Sequence, residues 1–174
     1  MSNAAEAVLL LRGKHRRVER LRIYLDTSVI GGCLDVEFAT DSQRVIDAVK
    51  AGRVVMLLSE LVLGELVNAP PPVQEILKSL PNESIEIVDL TEDINQLRDA
   101  YIGAGVVGQK SQGDAAHVAA ATVARADAIV SWNFKHIVRL DKMKAYNQVN
   151  LLNGYGILTI VSPLEVILDE PESS

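Results

Sequence analysis

The chain has 174 residues, 48% of them hydrophobic and 23% charged, which is the composition of one globular domain with its own core. Its net charge of −6 excludes a broadly cationic nucleic-acid binder but not a nuclease, in which clustered acids hold cations that meet the phosphates. The single cysteine, Cys33, excludes an intrachain disulfide and a cysteine-based zinc site, and no apolar run approaches the roughly 18 residues of a membrane span. A reducing cytoplasm suits this composition.

Residues 1–21 differ in character from the rest. A small apolar run over 4–11 precedes Lys14, His15, Arg16, Arg17 and Arg20. A signal peptide has the opposite order, so export is not expected. The stretch reads as a flexible, solvated extension, with a phosphate-contacting arm as the sharper alternative. The domain then spans 22–167, and 168–174 is a tail.

The first strand, around Ile23, Tyr24 and Leu25, runs into Asp26. Thr27 and Ser28 can cap the next helix, which leaves Asp26 free for other work. A helix follows over 35–50, with Val45, Ile46 and Val49 on one side, Asp41 or Ser42 as cap, and Gly52 as stop. Residues 54–58 form a continuous apolar strand of the parallel type. Ser59 caps a helix containing Leu61, Val62, Glu65 and Leu66, which the prolines at 70–72 end. A further helix covers 73–80, and a third strand 84–90. Thr91 caps a helix with Ile94 and Leu97, broken at Gly103 and Gly105. Residues 103–113 read as a loop, and Asp114 opens an alanine-rich helix to 125. Strands at 128–132 and 157–161 follow, and Ser162-Pro163 begins a last short helix. Alternating strands and helices predict an α/β fold with a parallel sheet.

In such a sheet the carboxyl ends of the strands share one edge, where ligands bind. Asp26, Glu65, Asp114 and Asn133 all fall at or near that edge. Each has a plain reading on its own: a helix cap, a rim residue, a first-turn acid that suits the helix dipole, a turn amide. Their joint placement points to function. His117, one turn after Asp114, is either packed within its helix or a phosphate contact. Lys135, His136, Arg139, Lys142 and Lys144 form a basic cluster that is either a solvated face or a track for RNA. Trp132 reads as core packing rather than a base-stacking surface.

Tyr24-Leu25-Asp26-Thr27-Ser28-Val29-Ile30, Ser59 with Glu65-Leu66, Gly113-Asp114-Ala115-Ala116-His117-Val118-Ala119-Ala120-Ala121 and Ser131-Trp132-Asn133-Phe134-Lys135-His136-Ile137 resemble the four blocks of PIN-domain proteins. That family includes metal-dependent ribonucleases, among them VapC-like toxins of type II toxin–antitoxin pairs. The resemblance implies a three-layer α/β/α sandwich on a five-stranded parallel sheet. It makes Asp26, Glu65 and Asp114 the metal-binding and catalytic acids. Asn133 stands where many members have a fourth Asp, and Thr27 or Ser28 matches the hydroxyl beside the first acid. It implies cleavage of RNA that leaves a 5′-phosphate and a 3′-hydroxyl, an antitoxin partner, and a homodimer, for which the apolar helix over 62–69 offers a surface.

The chemistry is consistent with those residue types. Phosphodiester hydrolysis needs an activated water and an electrophile on the phosphate oxygens, and Mg²⁺ or Mn²⁺ on hard oxygen ligands supplies both. Asn133 brings no charge and cannot act as a base, which leaves the number of metals and full activity open. The alternative reading is a degenerate PIN module that binds RNA or protein without cutting. A haloacid-dehalogenase-type phosphatase also begins with an Asp after its first strand, but Ser28 stands where its second Asp is needed.

Overall fold

The computed structural model describes residues 20–168. The extension over 1–19, with its apolar run and Lys14, His15, Arg16 and Arg17, lies outside the described residues, as does the tail from 169.

Five parallel strands form the sheet: β1 (Leu21–Leu25), β2 (Val54–Ser59), β3 (Ile85–Val88), β4 (Ala128–Val130) and β5 (Thr159–Val161), in the order β3-β2-β1-β4-β5. Central β1 pairs with β2 through Tyr24↔Leu57 and with β4 through Leu25↔Val130. Ile23, Tyr24 and Leu25 are buried, as a strand covered on both faces requires.

Seven helices connect the strands: α1 (Thr27–Gly32), α2 (Ala39–Lys50), α3 (Glu60–Leu66), α4 (Pro71–Lys78), α5 (Glu92–Gly103), α6 (Gln112–Val123) and α7 (Leu140–Leu152). α1 meets α2, α3 and α4, whereas α5 meets α6 and α7. Right-handed crossovers put these two groups on opposite faces, giving the α/β/α sandwich. Strand order reverses between β1 and β4, so the topological switch point opens beyond Leu25 and Val130. Asp26 and Ser131 are the first residues past those strands.

The local chemistry differs from expectation in five places. Asp26 is itself the N-cap of α1, its carboxylate accepting from the Ser28 amide, so Thr27 and Ser28 do not replace it. α2 starts after Phe38 with no side-chain cap, and Ser42 is buried inside the helix rather than capping it. The prolines do not end α3, which stops at Leu66; Pro71 opens α4, where its missing N–H is no loss. The segment after β5 is one 3₁₀ turn, Pro163–Glu165, closed by a capping box between Ser162 and Glu165. α7 was not expected as a helix at all. It buries Tyr146, Val149 and the polar Asn150, while Leu140, Leu151 and Leu152 are exposed, so no apolar stripe marks it in the sequence. Asn150 is satisfied in the core by Tyr101, whose hydroxyl donates to its carbonyl at 2.5 Å.

Candidate functional site

Asp26 leaves β1 at the switch point and is 5% exposed. One oxygen, Oδ1, accepts from the Ser28 amide at 3.1 Å and from the Ser28 hydroxyl; Oδ2 accepts from the Ser131 hydroxyl at 2.6 Å. Burial raises its pKa above the usual carboxylate range, against the pull of the Ser131 and Ser28 bonds. All its donors are neutral.

Ser131 links this acid to the next part of the site. Its Oγ accepts from the Asn133 amide at 2.9 Å. The Asn133 side chain donates from Nδ2 to Asp114 Oδ1 at 2.9 Å and accepts at Oδ1 from the His136 amide at 2.9 Å. These partners fix the orientation of the amide, because a carboxylate needs a donor and a backbone N–H an acceptor. Asn133 therefore offers Asp114 its NH₂ group, not an oxygen ligand to a cation. Asp114 lies in the first turn of α6, where the dipole favours an acid.

Glu65 stands on α3 across the edge. Thr27 donates its hydroxyl to Oε2, and His117 Nε2 lies 3.0 Å from Oε1. The His117 bond is the main cause that lowers the Glu65 pKa. The histidine is itself buried, and its Nδ1 lies 2.7 Å from the Tyr24 hydroxyl, which is 2.6 Å from Ser59 Oγ. With His117 Nε2 donating to Glu65, Tyr24 donates to Nδ1 and Ser59 to Tyr24. Both ring nitrogens are thus engaged within the protein; His117 orients Glu65 from α6 and has no nitrogen left for a phosphate. Burial also raises the Tyr24 pKa, so its phenol stays protonated.

The structure brings Asp26, Asn133 and Asp114 into one chain of hydrogen bonds, and Glu65, Thr27 and His117 into a second that starts one residue away. Glu60 turns elsewhere and accepts from the Leu90 amide at 2.7 Å. Lys135 is exposed and His136 half-buried just beyond Asn133. Two other members of the basic cluster are used locally: Arg139 pairs with Asp141, and Lys142 donates to the Val106 carbonyl. Sequence reasoning missed Ser131, Tyr24 and Ser59 as members of the site. A hydroxyl directly after a buried strand was the available signal for Ser131 and Ser59.

The donor set is carboxylate oxygen, which suits a hard cation such as Mg²⁺ or Mn²⁺. Among the described residues no three or more His, Cys, Asp or Glu side chains are grouped so as to hold a metal ion. Such a donor set fits a largely hydrated cation on one or two carboxylates and not a closed protein cage.

No protein-family model matches the chain, and no curated protein matches it. Solved structures similar in fold include two from toxin–antitoxin complexes. One is a chain in the crystal structure of VapBC2 from Rickettsia felis bound to a DNA fragment from their promoter, with a TM-score of 0.52 and 14% identity over 82% of this chain and 98% of that one. The other is a chain in the crystal structure of FitAcB from Neisseria gonorrhoeae, with a TM-score of 0.52 and 14% identity over 83% and 99%. The fold is PIN-like. At this identity the likeness is one of fold alone. No helix among the described residues is long and apolar enough to cross a membrane.

Proposed function

We propose that this chain is a metal-dependent endoribonuclease that hydrolyses RNA phosphodiester bonds, and that it acts as the toxin of a toxin–antitoxin pair. The observation that carries this reading is the acid edge: Asp26 buried at the switch point, Asp114 joined to it through Ser131 and Asn133, Glu65 held by Thr27, and no lysine or arginine paired with any of the three among the described residues. Acids left without a basic partner have oxygens open to a cation. The fold shared with VapBC2 and FitAcB chains supports the toxin assignment.

Asp26 and Asp114, with Glu65, would hold Mg²⁺ or Mn²⁺ directly or through water. The bound cation supplies a more acidic water and charge for the phosphate oxygens. The protein's own residues do the orienting. Ser28 and Ser131 fix both oxygens of Asp26, Asn133 fixes one oxygen of Asp114, and Thr27 and His117 fix Glu65. An antitoxin would cover this edge with a basic side chain, and exposed Leu63 and Val67 give a second copy of the chain an apolar contact. Loss of the dimer on sizing Leu63→Asp tests that contact.

The second reading, a module that binds RNA or protein without cutting, is favoured by Asn133, whose amide donates to Asp114 where a carboxylate would add a ligand. Calorimetric titration with Mn²⁺ and Mg²⁺ on wild type and Asp26→Asn, followed by digestion of a mixed RNA pool, separates the two. Metal binding and metal-dependent cutting, both lost in Asp26→Asn, support the nuclease. Binding without cutting supports the second reading, and no metal binding by the folded wild type rejects the first.

A further inference from the structure

The chain holds only two phenylalanines and one tryptophan, and the fold gathers all three in one stack. Phe38 lies against Trp132 with ring centroids 4.5 Å apart, and Trp132 meets Phe134 edge-on at 6.1 Å. The indole is committed inward: Nε1 donates to the buried Ser42 hydroxyl at 2.8 Å, and its amide donates to Ser28 Oγ at 3.0 Å. Gly32 makes room for that contact, since a Cβ there would stand 2.5 Å from Ser42 Oγ and 3.0 Å from Trp132 Nε1. At the outer end Phe134 is 46% exposed, whereas Tyr24, Tyr101 and Tyr146 are fully buried. An aromatic ring left in water on an anchored support, one residue past Asn133 and next to the exposed Lys135, is a platform without a partner. Lys135 has no carboxylate partner among the described residues.

We propose that Phe134 is the surface on which an unpaired base of the RNA stacks, with the Lys135 ammonium on the adjoining phosphate. A base within a duplex shows its neighbours, not its face, and cannot use such a platform. The inference rests on the reading of RNA as substrate but not on cleavage. Trp132, occupied by Phe38 and Ser42, does not take that role.

Trp132 is the sole tryptophan, so its fluorescence reports events at Phe134. The test titrates the full chain, in EDTA so that nothing is cut, with a short oligouridylate, with an abasic ribose-phosphate oligomer of equal length, and with the same oligouridylate paired to its complement. Wild type is expected to bind the single-stranded, base-bearing oligomer about tenfold more tightly than the other two, with a change in Trp132 emission. Phe134→Ala removes that preference and Phe134→Tyr keeps it, both with unchanged thermal unfolding. Equal binding of all three oligomers, a preference that survives Phe134→Ala, or binding of none overturns the proposal; the last outcome leaves Phe134 as a contact for a protein. RNA bound with this preference but never cut with metal rejects the nuclease and leaves the platform standing.

Discussion

The two edges of the sheet treat charge in opposite ways. At the amino edge, where β1 and β3 begin, Arg22 makes a two-pronged pair with Glu86 at 2.9 and 2.5 Å, and its backbone amide donates to Asp127 at 2.7 Å. Arg20 binds the carbonyls of Gly52 and Glu83. These groups are exposed or half-exposed, and each charge meets its opposite or a carbonyl. At the carboxyl edge Asp26 is buried and meets only hydroxyls and an amide, Asp114 meets Asn133, and Glu65 meets a hydroxyl and a histidine. Matched pairs in water add little to stability and nothing to function. A buried acid among neutral donors is held in place with no basic partner, which is what a cation site needs.

Asp26→Asn is the substitution expected to break this contrast most. It should lower metal-dependent RNA cleavage by at least roughly 100-fold, more than the loss of a supporting residue costs. It should also raise stability at pH 7 by about 1 kcal/mol, roughly 3 °C in Tm. Asn still caps α1, and the penalty of a buried charge disappears. Because the folded pKa of Asp26 is raised, that penalty is absent below the unfolded pKa and grows as pH rises through the folded one. The gain in Tm should therefore vanish in acid, and Mg²⁺ should raise the Tm of wild type only. A variant no more stable than wild type at pH 7 contradicts the account of Asp26.

His117→Ala comes next. It empties a buried site and removes one of the two partners of the Tyr24 hydroxyl, which should cost about 2–3 kcal/mol in urea unfolding. In wild type the lowered pKa of Glu65 makes its contribution present above the unfolded pKa and lost as pH falls through the folded one. This variant should lose that acid dependence, and an unchanged midpoint in urea refutes the role of His117.

Asn133→Asp sharpens the comparison. It sets a second carboxylate against Asp114, so the metal-free protein should lose about 1 kcal/mol and Mn²⁺ binding measured by calorimetry should tighten. The smallest effect belongs to the amino edge. Glu86→Gln should change the denaturation midpoint by less than about 0.5 kcal/mol, and that little should fade in salt.

Much of the fold was legible. The strands announce themselves as short apolar runs, and Ser59 and Thr91 cap their helices as their spacing predicts. The same rules failed where a residue type has two uses. Pro71 starts a helix as readily as a proline ends one. Ser42 looks like a cap but is the buried acceptor for Trp132. α7 carries no helical signal because its inward side holds half-buried Asn147 and buried Asn150, which Leu158, Tyr101 and Thr122 satisfy from other parts of the chain.

By itself the sequence determined the alternation of strands and helices, hence a parallel α/β sheet, and placed Asp26, Glu65, Asp114 and Asn133 near one edge of it. Strand periodicity and cap spacing are local, and they survive in one dimension. Only the tertiary structure decided which groups those side chains touch: that Asn133 turns its NH₂ to Asp114, that His117 is used up between Tyr24 and Glu65, and that Trp132 faces inward while Phe134 faces water. Those outcomes depend on partners up to 93 residues apart in the chain, brought within hydrogen-bonding distance by burial.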